Sequence, residues 1–309
     1  MYKYALLFPG QSISQKNILS SFFIKNKIVQ NVFYESSDYV GYNLLKLITH
    51  DPKEKLKKNK YSQLFTMISS IAIYKLWKNK QKQHPTLIAG HSLGEYTALV
   101  CSKSLRLYDA IKLIIIRHRL MKEAMSEKKG LMTIIIGLSQ SSIKKILKNY
   151  DTLNEVSIAC INTSHQIVIS GEKNSVTKIS LYCKKLGAKK IINLPIHPPS
   201  HCILMKQVAK KLLTILKQIK FNIPIYSVMN STSLTHYDSE ESIRNALAKQ
   251  LYSPIRWNSI IKYIKKNVTF FIEVSTKKTL TNLNKNIVGT SSISLNDQTN
   301  FLKAVNFFS

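Results

Sequence analysis

The stretch TLIAGHSLGEY (Thr86–Tyr96) changes character twice within eleven residues. Thr86 to Ala89 is a short apolar run of the kind that forms a buried strand, and it ends at Gly90. Helix-forming residues follow directly after Gly94. Between them, Gly90-His91-Ser92-Leu93-Gly94 fits G-x-S-x-G, and the strand before and helix after it are the context in which this pattern forms a sharp turn. Such a turn exposes the Ser92 hydroxyl at the carboxyl end of the strand. It also sets the backbone N–H of Leu93 at a helix start, where an oxyanion could be stabilised.

Working outward, Tyr4 to Phe8 is a second short apolar run that ends in Pro9-Gly10. Gln63 to Trp77 and Asp109 to Met125 carry helical periodicity. Strands alternating with helices predict an α/β fold with a mostly parallel sheet and helices on both faces. The middle of the chain has a different rhythm. Leu131–Leu138 reads as a strand, a helix begins at Ser139, and Val156–Ile161 with Gln166–Ser170 reads as a hairpin. A helix over Glu172–Leu186 and a strand over Lys190–Leu194 complete β-α-β-β-α-β, the ferredoxin-like order. Residues 128–197 are therefore expected to form a small inserted subdomain, and residues 1–127 with 198–309 the larger core. PIHPPS (Pro195–Ser200) reads as the stiff return between them, with an amphipathic helix expected from His201.

Composition narrows the partners. Of 309 residues 44% are hydrophobic, enough for a large core, yet no apolar run approaches the roughly 18 residues a membrane span needs. The apolar run before Pro9 is too short for a secretory signal, so a cytoplasmic, non-membrane protein is expected. Cys101, Cys160, Cys183 and Cys202 show no CxxC or metal-ligand spacing and read as reduced, packed thiols. The 46 Lys and Arg against 16 Asp and Glu leave a formal charge of +30. The lysines are scattered along nearly every segment, with no accompanying helix-turn-helix, zinc or RNP pattern, so nucleic acid is not the expected partner. Such a surface would instead draw in an acidic partner by an attraction that salt weakens.

Two further features bear on chemistry. On a helical wheel Arg117 shares its face with Ala110, Leu113, Ile114, Leu120, Met121 and Ala124, while Lys112, Arg119, Lys122 and Glu123 lie opposite. An inward guanidinium needs an anion beside it. Taken on this helix alone, an internal carboxylate is the simpler expectation. Ser92 in turn needs a base, and there are eight histidines. His91 should be turned away as a packing residue; His50, His84, His165 and His236 sit in polar surroundings; His118 has no assignment. His197 and His201 remain, and His201, at an expected helix start, is the better candidate.

FPGQ (Phe8–Gln11), Gln63, GHSLGEY (Gly90–Tyr96), Arg117, PSHC (Pro199–Cys202) and QLYSPIRW (Gln250–Trp257), in this order, together resemble the malonyl-CoA:acyl carrier protein transacylases of bacterial type II fatty acid synthesis, and the resemblance runs end to end. It implies a hydrolase-like α/β core with a ferredoxin-like insert. It further implies Ser92 as nucleophile, His201 as general base and acid, the Gln11 and Leu93 N–H groups as oxyanion hole, and the Gln250 main-chain carbonyl orienting the histidine. Arg117 would hold the malonyl carboxylate, and Gln63, His91 and Ser200 would line the pocket. No bound cofactor or metal is implied. Malonyl-CoA is the donor, phosphopantetheine on an acidic, transiently bound acyl carrier protein the acceptor, and a monomer is expected. Three places depart from the family's pattern: Ser12-Ile13 after FPGQ, His118 after the arginine, and Ser275-Thr276-Lys277 where Gly-Pro-Gly is usual. The competing expectations are a serine hydrolase or thioesterase on the same scaffold, and a drifted, low-activity acyl carrier protein binder.

Overall fold

A computed structural model of the chain describes residues 2–11, 19–49, 59–289 and 292–308. Ser12, Ile13 and His50 lie outside the described residues. In chain order the first part holds β1 (Tyr4–Phe8), α1 (Ser21–Ile24), α2 (Lys27–Val40), α3 (Leu44–Thr49), α4 (Asn59–Lys80), β2 (Leu87–Gly90), α5 (Gly94–Cys101) and α6 (Leu107–Glu123). The middle holds β3 (Gly130–Ile136), α7 (Gln140–Tyr150), β4 (Val156–Thr163), β5 (Gln166–Glu172), α8 (Lys173–Lys185) and β6 (Lys190–Leu194). The last part holds α9 (Lys206–Leu216), β7 (Val228–Met229), α10 (Glu240–Gln250), α11 (Trp257–Lys265), β8 (Phe270–Glu273), α12 (Thr279–Val288), β9 (Ser292–Ser294) and α13 (Gln298–Phe308).

The larger sheet runs β7-β2-β1-β8-β9 and every pairing in it is parallel. Of its three inner strands, β1 and β2 carry apolar residues at nearly every position and are buried throughout, as a parallel strand covered on both faces must be. Ala5 lies opposite Leu87 and Phe8 opposite Gly90, so β1 and β2 end level, with Pro9-Gly10 and His91-Ser92 side by side beyond them. That common edge is where the site forms.

The smaller sheet is antiparallel, in the order β4-β5-β3-β6. Period-two alternation gives it two apolar faces. Ile135, Ile167 and Ile169 face Ile143, Ile146, Val176 and Ile179 of α7 and α8, while Met132 and Val168 face Leu7, Ala89 and Trp257 of the larger core. Backbone bonds from Ile161 N–H to Ile255 O (2.8 Å) and from Ile255 N–H to Ala159 O (2.9 Å) tie β4 to that core. The two sheets thus share an apolar seam, and a cleft opens at its edge.

All four cysteines are buried and free. Among the described residues no helix is long and apolar enough to cross a membrane. One expectation is corrected: the helix does not begin at His201. A single 3-10 turn, Ile203–Met205, precedes α9, because His201 has φ 60°, a left-handed conformation that a right-handed helix cannot accommodate.

Candidate active site

Ser92 sits on the turn from β2 into α5 with φ 53°. The flanking glycines make that turn possible. A Cβ on Gly90 would stand 2.1 Å from Glu95 N, and one on Gly94 would stand 2.1 Å from Phe8 O, so any side chain at either place would collide with backbone. His91 N–H donates to Phe8 O (2.9 Å) and Glu95 N–H to Ser92 O (3.0 Å), which locks the turn against the end of β1.

The Ser92 hydroxyl is 2.7 Å from His201 Nε2, and His201 Nδ1 is 2.7 Å from the main-chain oxygen of Gln250. A carbonyl only accepts, so Nδ1 carries the proton and donates, and Nε2 presents its lone pair to the serine. Gln250 is the last residue of α10. Its carbonyl therefore lacks a partner within the helix and lies at the partially negative end of the helix dipole, which suits it to hold an imidazole that becomes positive. His201 is itself fixed by donation from its N–H to Leu251 O (2.7 Å). Burial pushes its pKa down to about 3, assisted by the nearby charge of Arg117 and opposed by the Gln250 bond. It is a neutral base at any ordinary pH.

Arg117, on α6, is 2% exposed and lines the same cleft as Ser92 and His201. Its Nε has no hydrogen-bond partner, and it forms no ion pair with any carboxylate among the described residues. The simpler expectation of an internal carboxylate is thereby set aside. Burial pulls its pKa down, yet a guanidinium starts so high that it stays charged. An enclosed, unpaired cation beside a serine hydroxyl is able to hold an anionic group.

The cleft encloses about 470 Å³. Gln11, Leu93, Gln63, His91 and Ser200 all line it. Gln63 Nε2 donates to Gln11 Oε1 (3.1 Å), and Ser200 Oγ donates to Met132 Sδ (3.6 Å). His91 faces Asn162 Oδ1 through Nε2 at 3.0 Å and lies against the Trp257 ring, so it is packed and turned away from the serine proton. The sequence gives no sign of Asn162, because a lone asparagine near a hairpin turn carries no local signal. Ser275, Thr276 and Lys277 line the cleft, so the altered loop does reach the site, whereas His118 is half-buried outside its lining.

A turn-borne serine with a neutral histidine, in a hydrolase-like α/β core, defines a protein built to take an acyl group as a serine ester and pass it on. Residues 29–294 match the acyl transferase domain family. The chain belongs to the malonyl-CoA:acyl carrier protein transacylases of that family. It is 67% identical to the malonyl CoA-acyl carrier protein transacylase of Buchnera aphidicola subsp. Baizongia pistaciae over 99% of both chains. It is 37% identical to that of Escherichia coli K12, over 95% of this chain and 96% of the other. Among solved structures, a malonyl-transacylase in complex with its type II polyketide synthase acyl carrier protein superposes with a TM-score of 0.95 at 37% identity over 99% of both chains.

Proposed function

We infer that this chain moves the malonyl group of malonyl-CoA to the phosphopantetheine thiol of an acyl carrier protein, for fatty acid synthesis, through a malonyl ester on Ser92. The observation that carries it is the shared cleft: a serine and histidine in register at 2.7 Å, with an enclosed, unpaired guanidinium beside them. Ser92 Oγ attacks the thioester carbonyl while its proton passes to His201 Nε2. The Gln11 and Leu93 N–H groups receive the oxyanion, Arg117 grips the free carboxylate, and the Gln250 carbonyl steadies the imidazolium. The C–S bond breaks, His201 returns the proton to the departing sulfur, and coenzyme A leaves. The phosphopantetheine thiol then reverses the sequence at the ester, and the two thiols' use of one site in turn gives ping-pong kinetics. The chemistry rests on this chain's side chains and backbone, with CoA thioester and carrier-borne phosphopantetheine as substrates. The +30 charge attracts an acidic carrier, and four free buried thiols suit the cytosol.

Labelled malonyl-CoA is expected to leave an alkali-labile label on Ser92, which holo acyl carrier protein removes and carries away. Loss of the label to water instead would make the protein a hydrolase. A pH profile checks the base separately. With His201 at about 3, kcat/KM for malonylation should stay nearly level down to about pH 5, where an ordinary histidine of pKa about 6.5 would have lost more than tenfold. An acid limb centred near 6.5 would contradict the buried, neutral base.

A further inference from the structure

Glu95 takes no part in the steps above, yet it is a carboxylate with 1% of its surface exposed, three residues after Ser92 in the first turn of α5. It has no lysine, arginine or histidine in ion-pair contact among the described residues. Four neutral donors converge on it instead. Ser231 N–H (3.1 Å) and the Tyr237 hydroxyl reach Oε1; the Ser231 hydroxyl (2.5 Å) and the Gln250 side-chain amide reach Oε2. Burial, the larger influence, pushes the carboxyl's pKa above the ordinary value, while the Ser231 N–H and the Gln250 amide, which can only donate, and both hydroxyls, which are able to, all draw it down. Packing alone gives no reason to keep a carboxyl there, since an apolar or amide side chain would fill the space at less cost.

The partner that matters is Gln250. Its main-chain carbonyl holds His201, while its side-chain nitrogen donates both to Glu95 and to the main-chain oxygen of Ser92 at 3.1 Å. A closed circuit results: Ser92 to Glu95 along the first turn of α5, Glu95 to the Gln250 amide, Gln250 carbonyl to His201, and His201 back to the Ser92 hydroxyl. We propose that Glu95 is a positioning residue for acyl transfer, which clamps Gln250 by accepting its side-chain N–H and so sets the carbonyl that holds His201 in line with Ser92. It does at one residue's remove what the acid of a triad does directly. The proposal rests on the function inferred above.

In Glu95→Gln an amide nitrogen replaces one accepting oxygen and meets a donor. Malonyl-enzyme formation should slow about tenfold to hundredfold in kcat with KM little changed, the loss expected when a catalytic group is misplaced by a fraction of an ångström to one ångström. In the resting protein the low-field proton resonance of His201 Nδ1–H should move and broaden, a readout that needs no turnover. Gln250→Leu keeps the carbonyl but cuts the side chain's ties to Glu95 and to the Ser92 main-chain oxygen, and should show the same two changes. If Glu95→Gln does not fold, this variant carries the test. The double variant should be no slower than the worse single one. A purely structural Glu95 would lower Tm but leave the kcat of the folded protein and the His201 resonance as in the unaltered protein, and that result, or additive losses in the double variant, overturns the proposal. Failure of the unaltered protein to form the malonyl ester would instead overturn the function itself, with the resonance still able to report on the clamp.

Discussion

Replacing Ser92 with alanine is expected to abolish malonyl-enzyme formation, by about 10⁴-fold or more in rate, with no labelled ester detectable. No other group in the described relay can substitute: His201 Nε2 is aimed at the serine oxygen, and without that oxygen nothing stands between the base and the thioester. The control lies in the backbone. At φ 53° an L side chain costs about 1 kcal/mol, which the hydroxyl's position in the relay requires. Ser92→Gly should therefore be as inactive as Ser92→Ala yet more stable than it by about that amount in urea unfolding. A residual ester-forming rate within tenfold of the unaltered protein would show that the nucleophile lies elsewhere.

The second large effect is selective. Arg117→Ala should lower malonyl transfer about 10²- to 10³-fold while acetyl transfer is little affected or rises. Each charge-assisted hydrogen bond to the free carboxylate contributes about 1.5–3 kcal/mol, and a guanidinium makes two such bonds at once. Two of the weaker kind already account for the lower bound, at 1.4 kcal/mol per tenfold. Acetyl-CoA has no carboxylate, so in the unaltered protein it leaves the enclosed cation unpaired and is disfavoured on that ground. The same reasoning predicts that Arg117→Ala raises Tm, because an unpaired buried charge is removed. Equal loss of malonyl and acetyl transfer would mean that Arg117 supports the fold of the site and does not grip substrate.

The region around Ser92 was legible because its signals are local. A strand, two glycines and a helix start lie within about fifteen residues, and the collisions that a Cβ on Gly90 or Gly94 would cause explain why those positions hold glycine. The ferredoxin-like insert was legible for a similar reason: period-two and period-3.6 patterns follow one another without interruption from Gly130 to Leu194, and adjacent segments pair. The inward face of α6, and with it Arg117, also followed from periodicity, although Leu120 is half-buried and Ala124 is exposed where the helix runs out.

Local pattern favours His201 among eight histidines on the strength of an expected helix start, and that reason does not hold. Its backbone is set by a left-handed turn and a bond to Leu251, fifty residues on, and not by the helix that follows. Gln250 acts through a main-chain carbonyl, which every residue possesses, so its part was suggested by family resemblance and by nothing in its side chain. Glu95 carries no local signal within GHSLGEY, because its partners Ser231 and Tyr237 lie 136 and 142 residues away. The order β7-β2-β1-β8-β9 likewise joins strands from both ends of the chain. Chain-local sterics and hydrophobic periodicity were enough to write the elements, the turn that carries Ser92 and the buried cation into the sequence. Which base and which carbonyl meet that turn, and which donors surround its buried acid, depends on packing between segments more than a hundred residues apart, and such contacts leave no periodic trace in either partner.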